Sequence, residues 1–414
     1  MPSHLHRREF LATGVGVAAA ALSSSRLGAQ GANDRIRLGV IGCGGRGSYL
    51  FDQALAAAQG QFEVTALCDV WSVARERFAA MVAEKLPGSK PKLFARHQDL
   101  LALQDVDGVI IATPDHAHCP VLVDAVAAGK DAFVEKPLSA RLEDAVAALD
   151  AVEKSDRIVQ VGTQRRSMAD FMEAVKYVQS GQMGQITKVE TAWNRNVASW
   201  NRPLDMIRRE DVDWEQYLMY LPKREFDPVR FRRWHWFHDY TTGLVGLLGS
   251  HMIDVALWFM DDPFPKSAVA LGGVLAWKDG REISDTTEYV FEYPKDWLLT
   301  FSSRLGSGPE TDFEIFYGKD RWMDSRDWVS HSAAHVLPPD AKDLKVTTAT
   351  NPEHAHVGNW LDCMRSRKTP NCPIQAGYAH MVACALGREA ERTGRRMRYD
   401  PMTRRIVEAD GGTH

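Results

Sequence analysis

The residues with the clearest chemistry lie in a glycine-rich segment near the start of the chain. Residues 42–47 read Gly-Cys-Gly-Gly-Arg-Gly, a G-x-G-x-x-G pattern between a short apolar run and a helix-forming stretch. Glycines in such a turn let the backbone approach a pyrophosphate, and the amide groups that begin the following helix attract its negative charge. This spacing predicts a dinucleotide-binding loop, whose candidate contacts are Gly42, Cys43, Gly44, Gly45, Arg46 and Gly47.

An acidic residue stands at the end of the next apolar run, residues 62–69. Asp69 follows the last glycine of the loop by 22 residues. A carboxylate there would accept hydrogen bonds from both hydroxyl groups of a ribose, and its charge would repel a 2′-phosphate. The pattern therefore favours NAD over NADP as the cofactor, although Arg75 could weaken the discrimination against NADP.

Lys136 is a candidate for proton chemistry. It lies between Glu135 and Pro137, directly after the apolar run 131–134. A lysine at the carboxyl end of a buried strand points into the crevice in which doubly wound sheets bind ligands. Burial there lowers the pKa of the ammonium group toward neutrality, so the amine could act as a base or direct a hydroxyl group through a hydrogen bond. The alternative is a surface lysine that only forms a salt bridge.

The glycine loop, Asp69 and Lys136 can form one site only in an α/β region that brings the ends of several strands together. Apolar runs typical of strands buried on both faces occur at residues 35–42, 62–69, 108–113 and 131–134. Helical stretches separate them at residues 71–86, 119–128 and 142–154. The alternation predicts right-handed βαβ units in a doubly wound parallel sheet, the Rossmann arrangement.

The second half of the chain has a different pattern. Longer runs of alternating apolar and polar residues cover 266–277, 285–293, 297–304 and 311–318. Such alternation is typical of strands with one covered and one wet face, so we expect an open, mostly antiparallel sheet in an α+β domain. Closing helices are expected at 354–366 and 376–394. The predicted boundaries are 1–32 for an export signal, 33–155 for the Rossmann domain and 156–414 for the α+β domain.

Several strings, in this order, make the chain resemble the Gfo/Idh/MocA oxidoreductases. They are the glycine loop, Ala-Thr-Pro-Asp-His-Ala-His at 112–118, Glu-Lys-Pro at 135–137, residues 160–166 and 181–184, and Gly-Ser-His-Met-Ile-Asp at 249–254. The resemblance covers nearly all of the chain after the export signal. It implies a Rossmann domain that binds NAD and a second domain that binds substrate and often forms the oligomer interface.

The resemblance also implies roles for individual residues. In the family, the lysine of the Glu-Lys-Pro string reaches the substrate hydroxyl group beside the nicotinamide, which gives Lys136 a catalytic and substrate-binding role. His251 matches the second catalytic position, where an imidazole could take the proton of a sugar hydroxyl group. A histidine that is merely buried in its helix is the alternative. Further cofactor contacts are expected from Thr113, Pro114, His118, Glu135, Lys136 and Gln164, and further substrate contacts from Arg165, Trp193, Asp239 and Asp254.

One position departs from the family pattern. Many dehydrogenases of the family carry an aspartate four residues before the histidine, and this chain has Leu247 there. A leucine side chain can neither accept a proton nor bind a hydroxyl group, so the usual lysine–aspartate–histidine arrangement is incomplete. Asp239, His238 or Tyr240 could supply the missing polar group. Asp254 could orient the imidazole of the catalytic histidine or cap the helix.

Aromatic and basic residues are concentrated in the segment before that histidine. A flat ring face with polar neighbours suits a sugar, and the same composition is typical of a subunit interface. Both interpretations stay open, and we expect a small-molecule carbohydrate and further copies of this chain, as a dimer or tetramer through the C-terminal sheet, as partners. The residues are Trp193, Trp200, Trp214, Trp234, Trp236, Arg230, Arg232, Arg233, His235 and His238.

The amino-acid composition limits the kinds of partner that we expect this protein to bind. The 414 residues carry 50 Lys and Arg against 54 Asp and Glu, a net charge of −4, with 45% hydrophobic residues. These values predict a globular protein of about two domains and exclude a multi-span membrane protein. Without a basic excess, nucleic acid is not expected as a partner. No metal is expected, because the histidine pairs 331/335 and 354/356 have no cysteine or carboxylate cluster to complete a site.

The N-terminus has the pattern of an export signal. Arg7 and Arg8 precede an uncharged stretch at 11–22 that is rich in Ala, Gly and Val, and small residues follow at 29–32. The apolar stretch is too short to span a bilayer. The arginine pair predicts twin-arginine export of the folded protein to the periplasm or the medium. Cys363 and Cys372 could pair after export, a question that the sequence leaves open.

Three functions are compatible with these features. The leading hypothesis is an NAD-dependent dehydrogenase that moves a hydride between the hydroxyl carbon of a sugar, glycoside or polyol and the nicotinamide. The alternative is a redox-neutral glycosidase that retains NAD, as in exported proteins of the resembling family. Against it, the Glu-Lys-Pro string is intact here, and the family's N-acetylgalactosaminidases lack it. A non-catalytic sugar-binding protein is the third possibility, and Leu247 is the one feature in its favour.

Overall fold

The computed structural model describes residues 35–332, 342–349 and 354–409, and its first half is a six-stranded sheet. All neighbouring strands in this sheet are parallel. The order reverses between β1 and β4, so the predicted doubly wound sheet is confirmed. The strands are β1 Ile36–Ile41, β2 Phe62–Cys68, β3 Lys92–Phe94, β4 Gly108–Ile111, β5 Asp131–Val134 and β6 Val159–Val161, in the order β3-β2-β1-β4-β5-β6.

Helices connect these strands. They are α1 Gly45–Ala58, α2 Ser72–Lys85, α3 His97–Leu101, α4 Asp115–Ala127 and α5 Leu142–Glu153. Strands β4 and β5 are buried along their whole length, which is the physical reason for their apolar sequence. The sheet also includes β6, which lies beyond the predicted domain boundary at residue 155. The boundary itself stays a prediction. The predicted export signal lies outside the described residues.

Helix α4 begins at Asp115, earlier than the predicted range 119–128. Pro120 lies inside this helix, where a proline is normally unfavourable. Here the missing N–H of Pro120 would have bonded to the carbonyl oxygen of His116. The hydroxyl group of Tyr220 donates to that oxygen instead, at 3.2 Å. A contact from a distant part of the chain therefore allows the longer helix.

The second half of the chain forms a ten-stranded sheet. Strands β7 and β10 pair in parallel, and the other neighbours are antiparallel. The predicted open, mostly antiparallel sheet is therefore confirmed. The strands are β7 Ile186–Asn194, β8 Ser267–Gly273, β9 Thr286–Tyr293, β10 Trp297–Arg304, β11 Thr311–Gly318, β12 Arg321–Asp324, β13 Val329–Ser332, β14 Leu344–Lys345, β15 Met397–Asp400 and β16 Arg405–Glu408. Their order is β14-β13-β12-β11-β7-β10-β9-β8-β15-β16.

The remaining helices pack either against one face of this sheet or against the six-stranded sheet and its helices. They are α6 Ala169–Gln179, α7 Trp214–Leu218, α8 Pro228–Arg232, α9 Leu244–Leu247, α10 Gly249–Met260, α11 Ala355–Ser366 and α12 Ile374–Thr393. Phe301 of β10 packs so closely under α10 that a Cβ on Gly249 would lie 2.8 Å from its ring. Trp360 of α11 packs against Phe133 of β5, with ring centroids 5.9 Å apart. The C-terminal helices thus join the two sheets.

The opposite face of the ten-stranded sheet is open. Val269 and Leu271 of β8 and Leu298 of β10 point to this side, and Leu271 is 78% exposed. In the described part of the chain, no helix is long and apolar enough to cross a membrane. All six cysteines are buried free thiols, including Cys363 and Cys372.

Candidate functional site

The glycine loop lies where β1 meets α1, at the reversal of strand order. Gly42 has a φ of +97°, and a Cβ on it would lie 2.5 Å from the carbonyl oxygen of Ala112. A Cβ on Gly47 would collide with the carbonyl oxygen of Gly42. A Cβ on Gly44 would meet no atom within 4 Å. Gly42 and Gly47 therefore serve close packing, and the open space at Gly44 lets a pyrophosphate approach the start of α1.

Asp69 joins the end of β2 to the glycine loop. One carboxylate oxygen accepts the amide of Cys43 at 2.7 Å, and the other accepts the amide of Trp71 at 2.8 Å. Burial raises the pKa of Asp69, and these two hydrogen bonds oppose that shift. Each carboxylate oxygen can accept a second hydrogen bond, so the group can still bind a ribose. Arg75 donates to the main-chain carbonyl of Asp69 at 2.7 Å, which holds its guanidinium group against the strand end.

Lys136 follows β5 at the same edge of the sheet. Its ammonium group donates to the main-chain carbonyl oxygen of Leu247, 2.8 Å away at the end of α9. Burial lowers the pKa of Lys136, and the charge of Glu135 opposes that shift. Glu135 also accepts from Arg46 of the glycine loop at 2.6 Å. The peptide bond between Lys136 and Pro137 is cis.

Leu247 therefore contributes its main chain where the family pattern has a side chain. None of the three residues suggested as a substitute lines the cleft. Asp239 forms salt bridges with Arg224 at 2.8 Å and Arg230 at 3.1 Å. His238 is exposed, and the ring of Tyr240 is buried 5.1 Å from that of His116. The sequence could not reveal this, because the carbonyl of any residue type can accept a hydrogen bond.

Asp115 is a functional candidate that the sequence analysis missed. It begins α4 at the carboxyl end of β4, is 2% exposed and lines the cleft. Its carboxylate accepts from the hydroxyl group of Thr241 at 2.8 Å. Burial raises the pKa of Asp115, and the charge of Lys136 opposes that shift. Its position after β4, inside the quoted string 112–118, was the available signal.

His251 stands in the first turn of α10, beneath an aromatic ring. The centroid of Trp193 lies 5.4 Å from that of His251. The histidine is 6% exposed, and burial together with the charge of Lys136 lowers its pKa well below the usual value. Its imidazole is therefore neutral near pH 7 and can accept a proton.

Two predicted substrate contacts lie behind the cleft. Asp254 is fully buried and accepts from Arg166 at 2.8 Å, with His380 at 3.6 Å on its other oxygen. Arg165 forms salt bridges with Asp312, at 3.1 Å, and with Glu314. Neither residue lines the cleft, and these ion pairs engage the charges of both side chains within the protein.

The tryptophans of the aromatic segment divide into two groups. Trp193, Trp200 and Trp234 line the cleft, and His235 is stacked between the last two, with ring centroids 5.1 and 3.6 Å apart. Trp214 and Trp236 are buried in the core. The first group is therefore available to a ligand.

These elements enclose one cleft of about 440 Å³ between the two sheets. Several buried atoms of its wall have no protein hydrogen-bond partner, among them Oγ1 of Thr113 and Oε1 of Gln164. Because an unpaired buried polar atom is costly, a ligand with hydroxyl and amide groups fits here. The predicted residues that line the cleft are Gly42, Gly44, Gly45, Arg46, Asp69, Thr113, Pro114, His118, Glu135, Lys136, Gln164, Trp193 and His251; Cys43, Gly47, Arg165, Asp239 and Asp254 do not.

His118 connects the two loops that carry these groups. Its Nδ1 lies 2.8 Å from the carbonyl oxygen of Pro137, and its Nε2 lies 2.9 Å from that of Thr113. The ring thereby holds the ends of β4 and β5 together beside the cleft. Among the described residues, no group of three or more His, Cys, Asp or Glu side chains could hold a metal ion.

Sequence comparison identifies the family. The model of the Gfo/Idh/MocA oxidoreductase family, with an NAD-binding Rossmann fold, matches residues 36–163, and that of the family's C-terminal domain matches residues 171–321. The chain belongs to the Gfo/Idh/MocA family. Because the family's Rossmann domain binds NAD, the predicted cofactor is confirmed together with the predicted resemblance.

The curated relatives each match only part of this chain. An inositol 2-dehydrogenase of Corynebacterium glutamicum (strain R) is 34% identical over 152 residues, 36% of this chain and 43% of the relative. A glycosyl hydrolase family 109 protein of Shewanella sp. (strain W3-18-1) is 26% identical over 214 residues, 46% of each chain. The chain thus spans less than half the length of these relatives.

Solved structures share the fold along most of the chain. The WlbA dehydrogenase of Bordetella pertussis, in complex with NADH and UDP-GlcNAcA, has a TM-score of 0.67 at 19% identity, covering 88% of this chain and 99% of that one. The aldose–aldose oxidoreductase of Caulobacter crescentus has a TM-score of 0.65 at 15% identity, covering 88% and 99%. At this identity the similarity concerns the fold.

The different surroundings of Gly44 and Gly47 predict different effects of a methyl group. We expect Gly44→Ala to fold normally and to weaken NAD⁺ binding by at least about tenfold, because the added Cβ occupies the phosphate space. Gly47→Ala should lower the free energy of unfolding by about 1–3 kcal/mol, because its Cβ overlaps the backbone of Gly42. Calorimetric titration and thermal unfolding of both variants test this. Equal losses of stability in the two variants would contradict the assignment.

Proposed function

We propose that this protein is an NAD-dependent oxidoreductase that acts on a hydroxyl-bearing carbon of a sugar, glycoside or polyol. The observation that carries the proposal is the arrangement of one cleft. The amine of Lys136 and the imidazole of His251 line the same space as the glycine loop. A proton-accepting pair next to a dinucleotide site is what oxidation of an alcohol requires.

The two side chains have complementary tasks in this proposal. When bound, NAD supplies a nicotinamide ring that accepts or returns a hydride. Lys136, held in place by the carbonyl of Leu247, directs the substrate hydroxyl group through a hydrogen bond. His251 accepts the hydroxyl proton, since its lowered pKa keeps the ring neutral.

A carbohydrate is the proposed substrate class. The ring of Trp193 offers a flat apolar face beside His251, which suits the C–H side of a sugar ring. The relatives named above include an inositol 2-dehydrogenase and an aldose–aldose oxidoreductase, which supports a polyhydroxylated substrate. Asp69 favours NAD over NADP, and the bond from Arg75 to the carbonyl of Asp69 engages the arginine that could favour NADP.

The second candidate function is that of a redox-neutral glycosidase. It is favoured by a cover that residues 70–71 and 212–213 form over the dinucleotide end of the cleft. Trp71, directly after β2, pairs with Val212 through a β-bridge, and the amide of Asp213 donates to the carbonyl of Val70 at 2.9 Å. This cover would slow the release of a bound cofactor, as an enzyme that returns its hydride requires. The similarity to a glycosyl hydrolase family 109 protein supports the same candidate.

Two further properties belong to the proposal. The twin-arginine pattern at Arg7 and Arg8 supports export to the periplasm or the medium. The exposed apolar side chains on the open face of the ten-stranded sheet support a homo-oligomer that buries this face.

The function is tested by incubating the purified protein with NAD⁺ and a panel of sugars, glycosides and inositols. We expect stoichiometric formation of NADH. Lys136→Met and His251→Gln should each lower kcat by about 10²–10⁴-fold with NAD⁺ affinity unchanged, because each removes a group that handles the substrate proton. Lys130→Met is the matched control, because Lys130 is bound to the carbonyls of Leu103 and Val106 at the other end of β5.

Other outcomes of this experiment would identify the alternatives. Release of an aglycone without net NADH would replace the dehydrogenase by the redox-neutral glycosidase. Sugar binding with neither product would leave a non-catalytic sugar-binding protein. Wild-type rates in both site variants would refute the roles of Lys136 and His251.

The pair formed by Asp115 and Lys136 predicts a pH effect. The negative charge of Asp115 raises the pKa of Lys136, so Asp115→Asn should lower it. In the proposed function the neutral amine is the active form, so activity rises as pH passes through this pKa, and Asp115→Asn moves the acidic limb of kcat/KM to lower pH. Asp144→Asn, which changes a half-buried carboxylate outside the cleft, should leave the limb in place. A shift to higher pH in Asp115→Asn would contradict the proposed coupling.

The oligomer is tested by changing the open face of the sheet. Leu271→Glu places a second carboxylate beside Glu288, its partner in the register of β8 and β9, and should dissociate the assembly. Leu93→Glu, at an exposed position of the six-stranded sheet, is the control. Light scattering after gel filtration measures the mass of each. An unchanged mass in Leu271→Glu would remove this face from the interface.

A further inference from the structure

Two arginines in the cleft wall carry charges that the protein leaves uncompensated. Arg202 and Arg232 both line the cleft. Within the described part of the chain, neither guanidinium group has a hydrogen bond or salt bridge to a protein acceptor, and Nε of Arg232 is buried without a partner. Guanidinium groups that are half-buried and unpaired are unfavourable, so they are expected where a ligand supplies the negative charge.

The other charged groups of the cleft are already engaged. Arg46 donates to Glu135 at 2.6 Å, and Lys136 donates to a carbonyl oxygen at 2.8 Å. Asp69 accepts two main-chain amides, and Asp115 accepts a threonine hydroxyl group. In the described part of the chain, none of these groups forms a salt bridge with Arg202 or Arg232.

The arginines also influence each other and their surroundings. Burial and the charge of Arg232 lower the pKa of Arg202, and burial and the charge of Arg77 on α2 lower the pKa of Arg232. An anion between them would relieve both the burial and the repulsion. A planar guanidinium group binds the oxygens of a phosphate or carboxylate through two parallel hydrogen bonds, which suits this role.

Their position points to the dinucleotide end of the cleft. The guanidinium group of Arg232 lies 5.4 Å from the ring centroid of Trp71, whose amide donates to Asp69. Arg202 and Arg232 belong to the aromatic segment between β7 and α9, so they face the cleft from a different wall than the glycine loop. A phosphate group bound between these walls would face the glycine loop on one side and the two arginines on the other.

We propose that Arg202 and Arg232 form a second phosphate-binding site, which holds a phosphate group of the bound dinucleotide from the side opposite the glycine loop. The inference rests on the proposed function, because it requires a dinucleotide in the cleft. It assigns to the aromatic segment a part in cofactor binding beyond the Rossmann domain. The two guanidinium groups could also bind the carboxylate of an acidic substrate. The experiment below distinguishes a phosphate of the cofactor from a carboxylate of the substrate.

Calorimetric titration of the purified, nucleotide-free protein with NAD⁺, NADP⁺, ADP and adenosine tests the proposal. Arg202→Met and Arg232→Met keep most of each apolar stem and remove the charge. We expect each variant to bind NAD⁺ and ADP about tenfold more weakly, as for the loss of one charged hydrogen bond, and to bind adenosine unchanged. Arg208→Met is the matched control, because Arg208 is an exposed residue of the same segment outside the cleft.

The possible outcomes are distinct. Weaker binding of NADP⁺ alone, with NAD⁺ and ADP unchanged, would overturn the assignment, because the arginines would then contact a 2′-phosphate that NAD⁺ lacks. Unchanged binding of every nucleotide, with a raised KM for glucuronate but not for glucose, would overturn the assignment in favour of an acidic substrate. No change for any anion would overturn the site altogether. A wild-type protein that binds no nucleotide would contradict the proposed function itself, and the inference with it.

Discussion

The buried ammonium group of Lys136 is the constraint on which the arrangement of the site depends. A cation removed from water needs an acceptor, and here the main-chain carbonyl of Leu247 provides it at 2.8 Å. The backbone of α9 must therefore pass close to the Glu-Lys-Pro string. A Cβ on Gly246 would collide with Thr242 and lie 3.3 Å from Cγ of Pro137, so a glycine allows this approach. One hydrogen bond thus joins the end of β5 to the turn that precedes the His251 helix.

This contact also organises the charges of the cleft. The positive charge of Lys136 favours a neutral His251 and a charged Asp115, whereas burial favours the neutral form of all three groups. The three side chains come from α10, from the start of α4 and from the end of β5. Their protonation states are therefore coupled across three separate elements, and the packing of the two sheets maintains that coupling.

The parts of the site that could be predicted depend on local rules. A glycine loop between a strand and a helix, and a lysine at the end of a buried strand, occupy positions that chain order alone defines. Local rules do not identify interaction partners that are distant in sequence. Asp254 was expected near substrate, but Arg166 and His380 surround it in the core. Asp115 was missed because its environment depends on Thr241, which is remote along the chain.

The sequence by itself determined the alternation of strands and helices, the family, the cofactor and the two residues proposed to handle the substrate proton. The periodicity of apolar residues and a few short sequence strings reveal these features. They can do so because strands, helices and turns depend mainly on residues that are close together along the chain. The tertiary structure alone decided that a main-chain carbonyl takes the position expected of an aspartate, which tryptophans face the cleft, and that Arg202 and Arg232 remain unpaired. Pairing, burial and the direction of a side chain arise from segments far apart in the chain, so they exist only once the two sheets pack together.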